Sequence, residues 1–122
     1  MLYCLEHIMD IQEAYQKGFN LRCEGRYREA LIEFQKVLAV DPKHCEARWQ
    51  IGLIQGFQGD FDASLETLRK VAQDYPMNLN VRNDLAMTMM MLGYIDEAGA
   101  EFREILRIDP NHENAKKQLV YF

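Results

Sequence analysis

The chain has 122 residues, of which 48% are hydrophobic, and 14 Lys and Arg stand against 19 Asp and Glu for a formal net charge of -5. That length suits one domain whose core needs no disulfide. Charges of both signs are mixed along the chain. There is no basic stripe to neutralise phosphates and no acidic tail, which argues against nucleic-acid binding. No stretch approaches the ~18 apolar residues of a membrane span, so no membrane partner is expected. Cys4, Cys23 and Cys45 are odd in number and form no C-x-x-C. Met1 to Gln12 hold two acids and no Lys or Arg. Both features predict a reducing, cytoplasmic setting without a secretory leader.

The dominant signal is a period. Pro42, Pro76 and Pro110 are spaced by 34 residues, and so are Gly25, Gly59 and Gly93. Small residues (Ala30, Ser64, Ala98) and large apolar ones (Phe34, Leu68, Phe102; Tyr27, Phe61, Ile95) keep the same register. Agreement of this kind across three copies predicts a repeat array. The expected fold is all-α: an α-solenoid of three antiparallel helix-turn-helix repeats with a short C-terminal helix.

Residues 1–10 read as an N-terminal extension of the first helix, with Leu2, Leu5, Ile8 and Met9 adding two turns. Repeats follow at 11–44, 45–78 and 79–112. In the second, Ala47, Ile51, Ile54 and Phe57 recur at helical spacing, and Gly59 ends that helix. Asp60 can cap the next, which carries Phe61, Leu65, Leu68 and Val71 and stops before Pro76. The equivalent caps in the other copies, Arg26 and Tyr94, are poorer, so those turns should fray more easily. Close helix crossings are expected where Gly18 meets Ala30, Gly52 meets Ser64 and Ala86 meets Ala98.

Residues 113–122 read as a C-terminal capping helix with Ala115, Leu119 and Val120 in register. One apolar side should pack on Ile105 and Leu106, leaving Tyr121 or Phe122 exposed. Weak self-association through this end, a partner or further repeat that continues the stack, or origin in a longer array are the expected alternatives.

Residues 11–112 resemble the tetratricopeptide repeat family. Ile51-Gly52 and Leu85-Ala86 match its Leu-Gly pair, and Lys17-Gly18 matches in part. Ala30, Phe34 and Pro42, then Ala98, Phe102 and Pro110, match its second helix. The family's first-helix Trp is replaced by Ala14, Arg48 and Arg82, with Trp49 displaced by one. Its later Tyr is Leu21, Gln55 and Met89.

The resemblance implies a curved stack whose first helices line a concave groove. The groove residues would then be Tyr15, Phe19, Trp49, Gln50, Leu53, Phe57, Asn80, Asn83, Met87, Met90 and Met91. Such a surface is aromatic and methionine-rich with amides at one rim, and a contiguous apolar patch of this kind fits an interaction site. The competing reading places the same residues in the core. Family members that clamp the acidic tails of heat-shock chaperones use basic and amide side chains. The matching positions here are Tyr15, Phe19, Gln50, Asn80 and Asp84, none basic and one acidic, so an acidic-tail clamp is not expected.

Catalytic chemistry has little to stand on. The single serine, Ser64, occupies the small-residue crossing position. No glycine loop suits a phosphate. Cys4 and His7 lie one turn apart, but two ligands fall short of the four usual for structural zinc. His44 and His112 hold equivalent positions, which points to repeat geometry. The expectation is a non-enzymatic protein without cofactor or metal. Its leading function is an interaction scaffold or adaptor that binds a protein or peptide partner, as a peptide or amphipathic helix. The alternative is a self-assembling structural subunit, a homo-oligomer through the groove or the C-terminal end.

Overall fold

The computed structural model describes residues 2–122, with side chains from Asp10 onward. Among the described residues the chain is entirely helical and loop. The helices are α1 (Leu2–Cys23), α2 (Tyr27–Val40), α3 (Cys45–Phe57), α4 (Phe61–Asp74), α5 (Leu79–Met91), α6 (Ile95–Ile108) and α7 (Glu113–Leu119). α1 begins at Leu2, and the side chains of Leu2, Leu5, Ile8 and Met9 lie outside the described residues. The architecture is an all-α helical repeat.

The period is written into the turns. Gly25, Gly59 and Gly93 have φ of 79°, 86° and 87°, a left-handed conformation that glycine adopts without a Cβ penalty. Around each, the chain closes the preceding helix in the same way. Arg26 N–H donates to Leu21 O and Gly25 N–H to Arg22 O; Asp60 and Gly59 bond Gln55 and Gly56; Tyr94 and Gly93 bond Met89 and Met90. This pair of bonds satisfies carbonyls that the helix leaves open. The second helices stop two residues short of the prolines, at Val40, Asp74 and Ile108.

A second set of caps was not read from the sequence. Ala47 N–H donates to His44 Nδ1 at 3.1 Å and Ala115 N–H to His112 Nδ1 at 3.2 Å. Val81 N–H donates to Asn78 Oδ1 at 3.3 Å. The equivalent histidines are helix caps, with asparagine doing the same in the copy between them. At Arg26 and Tyr94, the poor caps expected on sequence, no side chain bonds the helix start.

The chain forms two compact units, Met1–Asp60 and Phe61–Phe122. In the first, Leu21, Ala30, Phe34, Val37, Ala47 and Ile54 are buried together, with Ile11, Ala14, Tyr15, Tyr27, Leu31, Leu38 and Ile51 packed around them. α1 and α2 approach closely at Gly18. A Cβ on Gly18 would lie 2.8 Å from the Phe34 ring, so the ring closes directly on the glycine. Side chains lean toward the N-terminus of their helix, which brings the ring back over the turn where Ala30 sits.

In the second unit Leu68, Val71, Val81, Leu85, Ala86, Ala98, Phe102 and Ile105 are buried. Arg82 joins α5 to α6 by pairing with Glu101, and its guanidinium also donates to Pro76 O at 3.1 Å. α7 packs on α6 with Ala115 buried. Beyond it the chain turns back, and the Phe122 ring lies against Gly99 with its centroid 5.9 Å from that of Phe102. Phe122 thus finds a partial seat, while Val120 and Tyr121 stay largely in solvent.

Candidate functional site

In the first unit the candidate residues sit on α1 and α3. The Tyr15 ring is half-buried, 5.7 Å from Phe34, 6.4 Å from Phe19 and 5.6 Å from His44 between centroids. Burial, aided by the Glu46 carboxylate, pushes its phenol above the ordinary value; a hydrogen bond from Gln50 and the Arg22 charge oppose this. Gln50 is 4% exposed, so it holds Tyr15 from within the unit and is not an open rim residue. Trp49 and Leu53 are half-buried.

At the other end of these helices is a cluster of rings around a cation. The Arg22 guanidinium stands 5.1 Å from the centre of the Phe19 ring and 5.8 Å from that of Phe57. Phe57 is 54% exposed, and its other neighbour is Tyr27, stacked at 5.8 Å with 27° between planes. Two buried polar atoms among the described residues lack a hydrogen-bond partner, Arg22 Nε and Gln50 Oε1, and both belong to this face. An unpaired buried group costs about 1–3 kcal/mol, a cost natural folds seldom carry without use.

In the second unit the candidates lie on α5. Asn80 is exposed, Met90 half-buried and Met91 65% exposed. Asn83 and Met87 face α7: Asn114 Nδ2 donates to Asn83 Oδ1 at 2.6 Å and approaches Met87 Sδ at 3.7 Å. That leaves Met91 and Asn80 as the open ends of the helix.

The structure therefore joins Tyr15 to Phe19 and Gln50, Phe19 to Phe57 through Arg22, and Asn83 to Met87 through Asn114. Arg22, one helical turn from Phe19, falls in the groove register beside Phe57, whereas two contributors were not singled out on sequence. Tyr27 looked like a core position because it shares a register with Phe61 and Ile95. Asn114 lies on the capping helix, and no local pattern aims it at α5.

No group of three or more His, Cys, Asp or Glu among the described residues could hold a metal ion. The side chains of Cys4 and His7 lie outside that set. Ser64 is 2% exposed, in keeping with a packing role. No described helix is long and apolar enough to cross a membrane. A cleft of ≈ 430 Å³ beside α1 and α2 is lined by Asp10, Lys17, Glu33 and Lys36 among others, and its charges largely satisfy one another.

The sequence model for the tetratricopeptide repeat matches residues 58–119, half of the chain. The chain belongs to the tetratricopeptide repeat family. Mouse aspartyl/asparaginyl beta-hydroxylase is 36% identical over 62 residues, which are 51% of this chain and 8% of that protein. The chain thus spans a small fraction of the length of the curated relatives it matches. Among solved structures, the first repeat domain of Spaghetti (RPAP3), bound to the HSP90 peptide SRMEEVD, superposes with a TM-score of 0.83 at 16% identity, over 93% of this chain and 90% of that one. The Arabidopsis OM64 repeat domain gives 0.80 at 14%, over 94% and 98%. At these identities the likeness is one of fold. Tetratricopeptide repeats generally mediate protein–protein interaction.

Proposed function

We propose that the chain, with its three repeats at 11–44, 45–78 and 79–112, is an interaction scaffold. It takes a peptide or amphipathic helix on the first-helix faces that carry Tyr15, Phe19, Trp49, Leu53 and Phe57, and Asn80, Asn83, Met87, Met90 and Met91. The observation that supports this most directly is Phe57. A large ring more than half exposed, stacked on Tyr27 and beneath a cation, is held in place by its neighbours and still open to solvent. The face is not read as a clamp for acidic tails. Tyr15 and Phe19 stand where such a clamp needs polar donors, and Gln50 is spent on Tyr15.

The test is a calorimetric titration with peptides selected for binding, on the wild type and on Trp49→Ala, the single tryptophan. The truncation should weaken binding by roughly 2 kcal/mol or more, as for a central aromatic anchor. Unchanged affinity would move the contact elsewhere.

A second reading, self-assembly, is supported by Val120 and Tyr121, which are 80% and 77% exposed. Sedimentation across a concentration series separates the two. Dimers that dissociate on removal of residues 119–122 favour assembly through that end, and dimers lost only on Phe57→Glu favour assembly through the first-helix face.

A further inference from the structure

Arg22 carries a full charge, yet no carboxylate of the described residues pairs with it. It is half-buried, flanked by two rings, and its Nε has no hydrogen-bond partner. Four other arginines do have carboxylate partners: Arg26 is paired with Glu24 and Glu29, Arg69 with Glu97, Arg82 with Glu101, and Arg107 with Glu104, while Arg28 and Arg103 are exposed to solvent. Rings on two sides hold the guanidinium without neutralising it, because a cation–π contact leaves the net charge in place. A planar guanidinium so held has already lost much of its rotamer freedom, so a ligand that binds it loses less entropy.

The surroundings say what the ligand should look like. Next to the charge lie the exposed Phe57 and the stacked Tyr27, an apolar platform. At the opposite end of the face stands Glu46, which follows the cap residue His44 and acts on Tyr15. The face is therefore polar in charge along its length, positive beside Phe57 and negative beside Tyr15.

From this we infer that the first unit recognises an extended peptide segment of a partner protein in which one acidic side chain sits beside a large apolar one. The carboxylate pairs with Arg22 and the apolar side chain covers Phe57. The inference rests on the reading of this face as a peptide-binding surface. It differs from a tail clamp in needing one internal carboxylate against one arginine. The segment should also carry no acid at the Glu46 end, so the charges fix its direction.

The experiment uses the full chain to select from a phage-displayed random heptapeptide library. Selected peptides are then made with each acid as Glu or Gln and titrated against wild type, Arg22→Gln and Arg22→Glu. Selected sequences should place Asp or Glu next to Leu, Ile, Phe or Trp. Replacing that acid by Gln should weaken binding to the wild type about tenfold and leave Arg22→Gln unaffected, since the charge-assisted bond is already gone. Arg22→Glu should instead prefer the same peptides with Lys at that place. This gain keeps the test independent of any general loss of fold. Peptides that lose affinity on Trp49→Ala but are indifferent to the acid would overturn this inference and leave the peptide-binding reading standing. If nothing selected responds to Trp49→Ala or to Arg22, the peptide-binding reading fails and takes the inference with it.

Discussion

The ring of Phe34 stands 2.8 Å from the point where a Cβ on Gly18 would sit, and the ring of Phe122 stands at the same distance from the corresponding point on Gly99. The two approaches look alike and should respond differently. Phe34 has no exposed surface and is walled in by its unit's core, whereas Phe122 is 41% exposed at the end of the chain. One ring cannot move aside and the other can.

Gly18→Ala is therefore expected to destabilise the protein. The methyl should cost about 1–3 kcal/mol by overpacking, more than the roughly 1 kcal/mol of helix propensity that replacing glycine returns. Urea midpoints check this. In a Phe34→Leu background the same substitution should become neutral or stabilising, since the clash is gone.

Gly99→Ala should be stabilising or neutral instead, because the helix gains propensity and Phe122 swings into solvent. The Phe122 ring resonances should move toward free-chain positions in the NMR spectrum. A loss of more than about 1 kcal/mol, the size of the propensity gain, would show that Phe122 is held as firmly as Phe34.

The side-chain caps predict a hierarchy. His44→Ala and His112→Ala should each cost about 1 kcal/mol, while His→Asn at either place should cost little, because Asn78 makes the same bond in its own copy. Tyr94 offers no cap to α6, so Tyr94→Asp should add about 1 kcal/mol, helped by the positive end of the helix dipole. Thermal unfolding of the five variants measures the set.

Glu33 gives the pH dependence. Burial pushes its carboxyl up, but hydrogen bonds from Lys36 and Lys17, with Nζ at 3.1 and 3.4 Å, outweigh this and hold it below the usual carboxylate value. A group whose folded value is depressed stabilises the fold above its unfolded value, about 4.3 for Glu. That contribution is lost as pH falls through the folded value. Denaturation midpoints should drop on acidification below about pH 4.3, and Glu33→Gln should flatten that part of the curve. Both lysines are largely exposed, so the effect at neutral pH should stay within about 1 kcal/mol. An unchanged acid limb in Glu33→Gln would place the dependence on other carboxylates.

Sequence alone determined the number of helices, their turns and their ends. Those features rest on local chemistry repeated at a fixed interval: a glycine where φ must be positive, a proline where a helix must stop, and an apolar residue every third or fourth position between them. Each constraint acts within a few residues, so a linear pattern records it. Tertiary structure decided what fills each crossing and what each face offers. That the Phe34 ring covers Gly18 depends on how a side chain leans across from another helix. That Gln50 is buried against Tyr15, that Arg22 lies between Phe19 and Phe57 without a carboxylate, and that Asn114 reaches Asn83 all depend on residues far apart in the chain. A helical register says which residues share a face. Only the packing of one helix on the next says which of them are covered, which stay open, and where a charge is left without a partner.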